Sequence, residues 1–240
     1  MVGENWQESV LGSPQGGVIS PLIANIYLNE FDQEMMKREH RIVRYADDIL
    51  IFCTSKLGAE NALKVARDIL EVKLKLKVNE KKTHIAHSKT GIKFLGVVIY
   101  NKYTLIQDGK LKAFKAKVKQ ITRRNTEGNL ATVLKYLNPV LRGFVNYFKI
   151  ANISTKLKGL ASWIRRRLRC IQLKLWKKPA KLHRRLKQLR YKPPFKSIKM
   201  KSWRNSGCPL AHYAMPNSWF TMLGLYQIDE VETGVLAPYY

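Results

Sequence analysis

Residues 42–52 read IVRYADDILIF and place the adjacent carboxylates Asp47 and Asp48 between two apolar runs. Two short apolar runs around a tight polar turn predict a β-hairpin. Adjacent Asp residues in a turn have an ordinary explanation, because Asp tolerates turn conformations and solvates a loop. Here the apolar flanks hold the turn on a sheet that is buried on at least one face. A rigid carboxylate pair of this kind suits a hard, oxygen-seeking cation such as Mg²⁺.

The chemistry that such a pair predicts is nucleotidyl transfer. Two metal ions can activate a 3′ hydroxyl and stabilise the departing pyrophosphate. Consecutive strand residues point to opposite faces, so we expect one Asp to face the metals more directly than the other. Two metals also need at least one more carboxylate. The nearest acids, Glu30, Asp32 and Glu34, lie on a predicted helix, where we expect solvated surface roles.

The composition points to a polyanionic partner. The 240 residues are 45% hydrophobic, and 44 Lys and Arg against 17 acids give a net charge of +27 and a pI near 10.1. Nucleic acid is the leading candidate, and an anionic membrane surface is the alternative. No apolar run approaches the ~18 residues of a membrane span, and no signal peptide is evident. Three lone cysteines, Cys53, Cys170 and Cys208, favour a reducing compartment.

The positive charge is concentrated in one part of the chain. Residues 110–206 hold 29 Lys and Arg and one acid, Glu127, whereas the rest of the chain is about neutral. The boundary near Asp108-Gly109 therefore predicts two units with different roles.

The first unit is predicted to be mixed α and β. Ser20-Pro21 marks a helix start with Ser20 as the cap, and residues 57–72 are typical of a second amphipathic helix. Alternating Leu and Lys over residues 74–78 predicts a strand, and residues 93–100 predict a strand pair. Helices on one face of an antiparallel sheet give an α+β layer. Along the first helix, apolar residues recur at helical spacing at Leu22 and Ile26 and in the set Ile23, Tyr27, Phe31 and Met35.

The second unit is predicted to be helical. Leu111, Phe114, Val118 and Ile121 form one apolar stripe. Asn138-Pro139 is expected to break the chain before a second stripe that runs through residues 140–148. A third, longer stripe covers residues 157–175 and ends before Pro179. Its opposite face carries a basic set that consists of Arg165, Arg166, Arg167, Arg169 and Lys174, and periodicity is weak beyond Pro193-Pro194.

At this point the order of the motifs resembles a known family. Tyr45-Ala46-Asp47-Asp48 resembles the YxDD box of reverse transcriptases, and residues 12–21, GSPQGGVISP, resemble their PQG…SP segment. Residues 79–83, NEKKT, and 94–96, FLG, look like the next two boxes, in order. Residues 137–148, LNPVLRGFVNYF, look like the maturase-specific region of group II intron proteins. The chain thus resembles a group II intron-encoded reverse transcriptase/maturase, with a diffuse match after about Lys192.

The resemblance implies an α+β fold: a partial reverse-transcriptase palm, with an antiparallel sheet and helices on one face, followed by an all-α basic thumb. We expect a palm at 1–108, a maturase-specific thumb or domain X at 109–192, and a C-terminal extension at 193–240 that could be a DNA-binding remnant. The expected partners are group II intron RNA, a DNA target or primer strand and, if an N-terminal part completes the enzyme, dNTPs. No membrane partner is expected. The expected cofactor is Mg²⁺, with Mn²⁺ as a substitute, and the expected location is the bacterial cytoplasm, near the nucleoid, or an organelle.

The resemblance also implies roles at the palm boxes. Asp47 would be the main catalytic metal ligand with Asp48 as its partner, and Tyr45 would lie beneath the primer terminus. Gln15 and Gly16 would lie close to the template and the incoming nucleotide, although a plain turn before a helix is the alternative there.

Two further roles follow for the later boxes. Lys82 would lie near the nucleotide phosphates, and a solvated lysine is an equal alternative. Phe94, Leu95 and Gly96 would form the primer grip, with plain strand core as the alternative, above all for Leu95.

The basic unit is expected to contact RNA. Lys and Arg neutralise phosphates and aromatics stack on unpaired bases, which suits the interleaved Tyr136, Tyr147, Trp163 and Trp176. Phe144 and Phe148 are instead expected to pack between helices. The RNA-contact patch is predicted to comprise Arg142, Arg165, Arg166 and Arg167.

The sequence departs from the family at its start. The family's first catalytic aspartate lies on a strand before the PQG box, and this chain begins only 13 residues before Pro14. We therefore expect an N-terminally incomplete enzyme that binds RNA and does not polymerise alone. The alternatives are a non-enzymatic RNA-binding maturase whose YADD turn is a relic, and a product with no stable fold.

Overall fold

The computed structural model describes residues 18–125, 128–200 and 204–234. Their contacts divide the chain into two compact units, with the division after His87. This division precedes the charge boundary near Asp108-Gly109, because a small sheet at residues 92–106 packs with the helices that follow it. The functional ranges 1–108, 109–192 and 193–240 stay a prediction about regions of sequence.

The first unit is a β-hairpin packed with helices. Its elements are α1 (Ser20–Lys37), β1 (Arg41–Tyr45), β2 (Asp48–Phe52) and α2 (Lys56–Arg67), which continues as a π-helical turn (Asp68–Lys73). Helix α1 contacts β1, and α2 contacts β2. The α+β class predicted from the sequence is confirmed.

The starts of the two helices are set by local chemistry. Ile19, and not Ser20 as predicted, occupies the N-cap of α1, and Pro21 lies in the first turn, where a missing N–H costs no hydrogen bond. Ser55 caps α2, because its Oγ accepts a hydrogen bond from the Gly58 N–H at 3.0 Å.

The core of this unit lies under the second half of α1. Phe31 and Met35 of α1 are fully buried with Ala66, Ile69 and Leu74. The predicted helix is confirmed, whereas the first half of α1 is not part of this core. Its apolar side chains are 45–67% exposed in the structure, and they are Leu22, Ile23, Ile26 and Tyr27.

The strand predicted over residues 74–78 is also wrong. Lys75 has a positive φ of 54°, which turns the chain back onto the preceding helical turn. The Leu76 N–H donates to the Leu70 carbonyl at 2.7 Å, and the Leu74 carbonyl accepts from the Tyr27 hydroxyl. The alternation of Leu and Lys therefore reflects one buried residue, Leu74, and not a sheet face.

The second unit begins with a three-stranded antiparallel sheet. Its strands are β3 (Ile92–Phe94), β4 (Val97–Ile99) and β5 (Thr104–Ile106), in the order β3-β4-β5. The predicted pair at residues 93–100 is present, whereas β5 was not predicted. Val97 and Ile106 are buried against the helices.

Helices make up the rest of this unit. Their bounds are α3 (Asp108–Ile121), α4 (Leu130–Phe148), α5 (Ser154–Trp176), α6 (Pro179–Gln188), α7 (Pro209–Ala214) and α8 (Asn217–Met222). Within the described ranges, none of these helices, nor those of the first unit, is long and apolar enough to cross a bilayer.

Helix α4 passes through Pro139 without a break, contrary to the prediction. Proline lacks the N–H of an interior helical residue, but Pro139 lies on the exposed side of α4. The buried side continues unbroken from Leu137 to Leu141, so packing holds the helix together.

The segment after Pro194 belongs to the core. Met215 and Phe220 are fully buried, and Leu225 and Ile228 are nearly so, in the same cluster as α4 and α5. The weak periodicity of this segment reflects short helices joined by turns. Whether it also contacts DNA stays a prediction.

Candidate active site and nucleic-acid interface

The predicted carboxylate turn is a two-residue β-turn. Tyr45 pairs with Asp48 across β1 and β2, so Ala46 and Asp47 form the turn itself. Ala46 has a positive φ of 52°, a conformation that side chains other than glycine adopt rarely. Asp47 and Asp48 are both exposed, so a ligand can reach either carboxylate.

The two faces of the hairpin differ sharply. Ile42, Ile49 and Ile51 share the face that packs on the core. The opposite face carries Tyr45 and Asp48, and Tyr45 is 65% exposed. The alternation of strand side chains therefore places Asp48 on the solvent side of the hairpin, next to Tyr45.

Arg44 anchors the turn and was not singled out by sequence reasoning. Its guanidinium donates to both carboxylate oxygens of Asp32 on α1, at 2.6–3.0 Å, and to the Asn25 side chain at 3.0 Å. A further hydrogen bond reaches the Ala46 carbonyl at 3.1 Å. The hydrogen bonds to Asp32 raise the pKa of Arg44. Its place on the inward face at a hairpin end is the sequence signal that could have identified it.

The acids of α1 are committed to cations. Asp32 forms an ion pair with Arg44. The carboxylates of Glu30 and Glu34 lie 2.7 and 3.2 Å from the Lys73 ammonium. The expected surface role fits Glu30, whose ion pair is exposed, whereas Asp32 is partly buried against Arg44. The three α1 acids therefore already have cationic partners, whereas Asp47 and Asp48 are exposed carboxylates at the hairpin turn and can hold a divalent cation. Among the residues that the structure describes, no three acidic, His or Cys side chains form a metal-ligand group.

Of the remaining predicted residues of the first unit, the structure describes only Lys82. Gln15 and Gly16 lie outside the described residues. Lys82 is exposed in a tight turn in which its N–H donates to the Asn79 carbonyl at 3.1 Å. The Thr83 N–H shares that acceptor at 3.0 Å, so the turn fixes the backbone of Lys82 while its side chain stays accessible.

In the second unit, the predicted primer grip forms the tip of a hairpin. Phe94 pairs with Val97, so Leu95 and Gly96 make a two-residue turn between β3 and β4. Both have positive φ, 46° and 81°. For a leucine this conformation costs about 1–2 kcal/mol. The alternative of plain strand core is wrong for Leu95, which is partly buried in the turn.

Helix α4 supports this turn. The Tyr147 hydroxyl donates to the Leu95 carbonyl at 3.0 Å. A Cβ at Gly96 would lie 3.4 Å from Lys110 and 3.6 Å from the Phe148 ring. Tyr147 had been interpreted as an RNA-stacking residue, and its bond to Leu95 gives it a structural task as well.

The predicted arginine patch is only partly on the surface. Arg142 is exposed on α4, and its guanidinium lies 5.1 Å from the centre of the Tyr226 ring. Arg165 is 6% exposed and donates to the Asp229 carboxylate at 2.6 Å and to Gln227 at 3.0 Å. Arg165 therefore faces the protein interior, and its predicted place on a solvent-facing patch is wrong.

Arg169, on the same predicted basic face, is more deeply buried at 1% exposure. It donates to the Met215 carbonyl and the Asn217 side chain, both at 3.0 Å, and lies 5.2 Å from the centre of the Phe220 ring. Burial, and then the charge of Arg165, lower the pKa of Arg169 to about 10. Arg165 and Arg169 thus tie the C-terminal segment to α5.

Arg166 and Arg167 are partly buried. Arg166 lies beside Gly207, within 3.3 Å of where a Cβ on that glycine would be. Arg167 donates to the Thr122 side chain and carbonyl, the latter at 2.9 Å, and its pKa is lowered by burial. The residues that cover them are distant in sequence. Helical periodicity, which reflects only local spacing, therefore predicted that both would lie on an open face.

Exposed cations lie instead on other helices. Helix α3 carries five exposed lysines, and α6 adds Lys181, Arg184 and Lys187. The α3 lysines are Lys110, Lys112, Lys115, Lys117 and Lys119. Exposed cations of this kind neutralise phosphates of a nucleic-acid backbone.

The chain matches two protein families in succession. Residues 3–99 match the family described as reverse transcriptase (RNA-dependent DNA polymerase), and residues 111–191 match the family described as group II intron, maturase-specific domain. These matches confirm the resemblance inferred from the order of the sequence boxes.

Individual relatives are similar over part of their length. Protein YkfC of Escherichia coli strain K12 is 36% identical over 119 residues, covering 35% of this chain and 31% of that protein. The group II intron-encoded protein LtrA of Lactococcus lactis subsp. cremoris is 27% identical over 180 residues, covering 45% of this chain and 30% of that protein. The putative COX1/OXI3 intron 2 protein of Saccharomyces cerevisiae is 24% identical over 252 residues, covering 67% of this chain and 30% of that protein. The matches thus span about 30% of the length of each of these curated relatives.

Proposed function

Because the chain belongs to the family of group II intron-encoded reverse transcriptases and maturases, we propose that its second unit binds the folded RNA of a group II intron and assists splicing. The observation that carries this proposal is the segment 110–206, with 29 Lys and Arg and a single acid. The five exposed lysines of α3 give that charge an accessible surface. When such a surface binds phosphates it releases their condensed counterions, so its affinity falls steeply as the salt concentration rises.

The structure changes which residues should test this proposal. Arg165 is buried and ion-paired, so removing it would damage the fold before it tested RNA contact. Exposed cations are the better targets. We propose Arg142 together with Lys112 and Lys117 as RNA-contacting residues.

The test is a binding titration of the chain with group II intron RNA at several salt concentrations. We expect the triple variant Arg142→Ala, Lys112→Ala, Lys117→Ala to bind more weakly, with a log–log salt slope reduced by roughly 0.7–0.9 for each lost phosphate contact. A matched variant that removes three exposed lysines of the first unit, Lys37, Lys56 and Lys64, should change the affinity less. Equal losses in both variants, or an affinity that ignores salt, would contradict the proposal.

For the first unit we propose that Asp47 and Asp48 contribute to a Mg²⁺ site, which Mn²⁺ can also occupy. Bound there, the ions would supply the Lewis acidity that nucleotidyl transfer from a dNTP to a primer end requires. Arg44 would hold the turn in place, and Tyr45 would lie on the same exposed face as Asp48. A complete site needs a further carboxylate, and the α1 acids are already paired with Arg44 and Lys73.

We therefore propose that the 240-residue chain binds RNA without extending a primer by itself. A primer-extension assay with an RNA template, a DNA primer, dNTPs and Mg²⁺ tests this. We expect no extension, and an intron RNA affinity that is unchanged in Asp47→Ala. Extension by the wild-type chain that Asp47→Ala abolishes would overturn the inactivity and support the polymerase site directly.

A further inference from the structure

A groove at the surface of the second unit combines an apolar floor with a basic rim. It lies between α3 and α5 and has a volume of about 500 Å³, within the range of ligand-binding clefts. Its side chains are apolar at Leu111, Leu160 and Trp163, and basic at Lys115, Lys119 and Lys156. None of these lining residues carries a negative charge, so the groove is complementary to an apolar group joined to an anion.

Arg167 contacts the Trp163 ring that lines the groove. Its guanidinium lies over the indole ring, 5.4 Å from the ring centre, and donates to the Lys119 carbonyl at 3.3 Å and the Thr122 carbonyl at 2.9 Å. These bonds join the end of α3 to α5. They also fix the position of the guanidinium that lies over the Trp163 ring.

Gly159 keeps the groove open. It lines the groove on α5, and a Cβ added there would meet no atom within 4 Å. A larger side chain at this position would extend into the groove without a clash with the backbone. This position therefore offers a way to fill the groove while its charges stay unchanged.

We propose that this groove binds one unpaired nucleotide of a bound RNA, with its base against Trp163 and the apolar floor and its phosphates at the three lysines. The inference rests on the proposed RNA-binding function and specifies one site for it. Folded RNA presents unpaired bases in bulges and loops beside its helices, and such bases stack on aromatic side chains. Paired nucleotides offer no free base face to the groove.

The test compares two RNA hairpins, each closed by a non-nucleotide linker so that no loop base is unpaired, which differ by one bulged uridine. We expect the wild-type chain to prefer the bulged hairpin by about tenfold, the scale of one base–aromatic stack. Gly159→Leu should abolish this preference, while its affinity for the paired hairpin stays within about twofold because no charge changes. Gly159→Ala, which leaves most of the groove open, should retain the preference.

The matched control is Gly143→Leu. Gly143 is exposed on α4, outside the groove, and a Cβ there also meets nothing within 4 Å. This variant should bind both hairpins as the wild type does. A preference that survives Gly159→Leu, or one that Gly143→Leu also removes, would overturn the groove as its source.

A photocross-link gives an independent readout. A 5-iodouridine at the bulge should cross-link to the peptide that contains Trp163 in the wild type and not in Gly159→Leu. Equal affinity for both hairpins, with normal salt dependence, would overturn the groove proposal and leave the RNA-binding function standing. Failure to bind either hairpin or intron RNA would reject the RNA-binding function itself. The same preference for a bulged DNA hairpin would overturn the assignment to RNA.

Discussion

At the residue scale, Ala46 shows how the carboxylate turn is held. Its φ of 52° is a conformation that costs a residue other than glycine about 1–2 kcal/mol. The hydrogen bond from Arg44 to its carbonyl and the pairing of Tyr45 with Asp48 enforce the conformation. This conformation lowers the stability of the unit, and it fixes the backbone position of Asp47.

We expect Ala46→Gly to stabilise the first unit by about 1 kcal/mol, because glycine adopts a positive φ without steric cost. Chemical denaturation followed by circular dichroism would measure the change. Ala59→Gly is the control, since Ala59 lies in α2 with helical geometry and should lose about 1 kcal/mol. Similar losses in both variants would contradict the turn geometry.

Leu95 is the second strained residue, and it lies in the predicted primer grip. The Tyr147 hydroxyl and the close approach of Phe148 to Gly96 tie this turn to α4. Strained backbone that its surroundings enforce is typical of functional sites. The sequence left strand core open as the alternative for FLG, since no local pattern shows that a leucine will occupy a turn.

At the element scale, the α4 helix shows which sequence rule should have been given more weight. Proline predicted a break, whereas the buried positions run on through Leu134, Leu137, Leu141 and Val145 at helical spacing. The phase of the apolar stripe was the stronger signal. By contrast, the burial of Arg165 and Arg169 depends on Asp229, Met215 and Asn217, which lie 46–64 residues further along a weakly periodic segment. Contacts at that separation leave no trace in a local pattern.

We expect Pro139→Ala to stabilise the second unit by about 2 kcal/mol, because the new N–H restores the hydrogen bond that proline removes from the helix interior. Pro139 is exposed, so the substitution opens no cavity. Thermal unfolding would measure the shift. Gly143→Ala in the same helix is the control for helix propensity alone and should gain about 1 kcal/mol. A loss of stability in Pro139→Ala would mean that the proline shapes the helix for packing.

At the scale of the whole molecule, acids and bases are distributed differently in the two units. In the first unit, acids and bases pair locally: Glu34 accepts Arg38 at 2.7 Å and Lys73 at 3.2 Å, and these hydrogen bonds lower the pKa of Glu34. In the second unit, the Asp229 carboxylate forms an ion pair with the buried Arg165 guanidinium. Helices α3 and α6 carry exposed cations. The sequence predicted this charge separation directly, because net charge needs no knowledge of the fold.

The Arg165–Asp229 pair also makes the second unit sensitive to acid. Burial raises the pKa of Asp229, but the hydrogen bonds from Arg165 and from the backbone and the nearby charges of Arg165 and Lys158 lower it by more, so the net pKa is below its usual 3.8. The folded state therefore favours the ionised carboxylate. This contribution to stability is complete above the ordinary pKa of an Asp and is lost as the pH falls through the lower folded pKa.

We expect Asp229→Asn to destabilise the second unit by about 3 kcal/mol at neutral pH, because it leaves the buried Arg165 guanidinium without its carboxylate. The difference from the wild type should shrink as the pH falls below the usual range of an Asp, because the wild-type Asp229 carboxylate is then protonated and no longer pairs with Arg165. Denaturant midpoints measured from neutral to acid pH would show this convergence. Glu230→Gln is the matched control, since Glu230 is exposed next to Asp229 and should leave both the stability and its pH dependence nearly unchanged. A constant gap between Asp229→Asn and the wild type at all pH values would show that the pair stabilises through packing, and not through its charge.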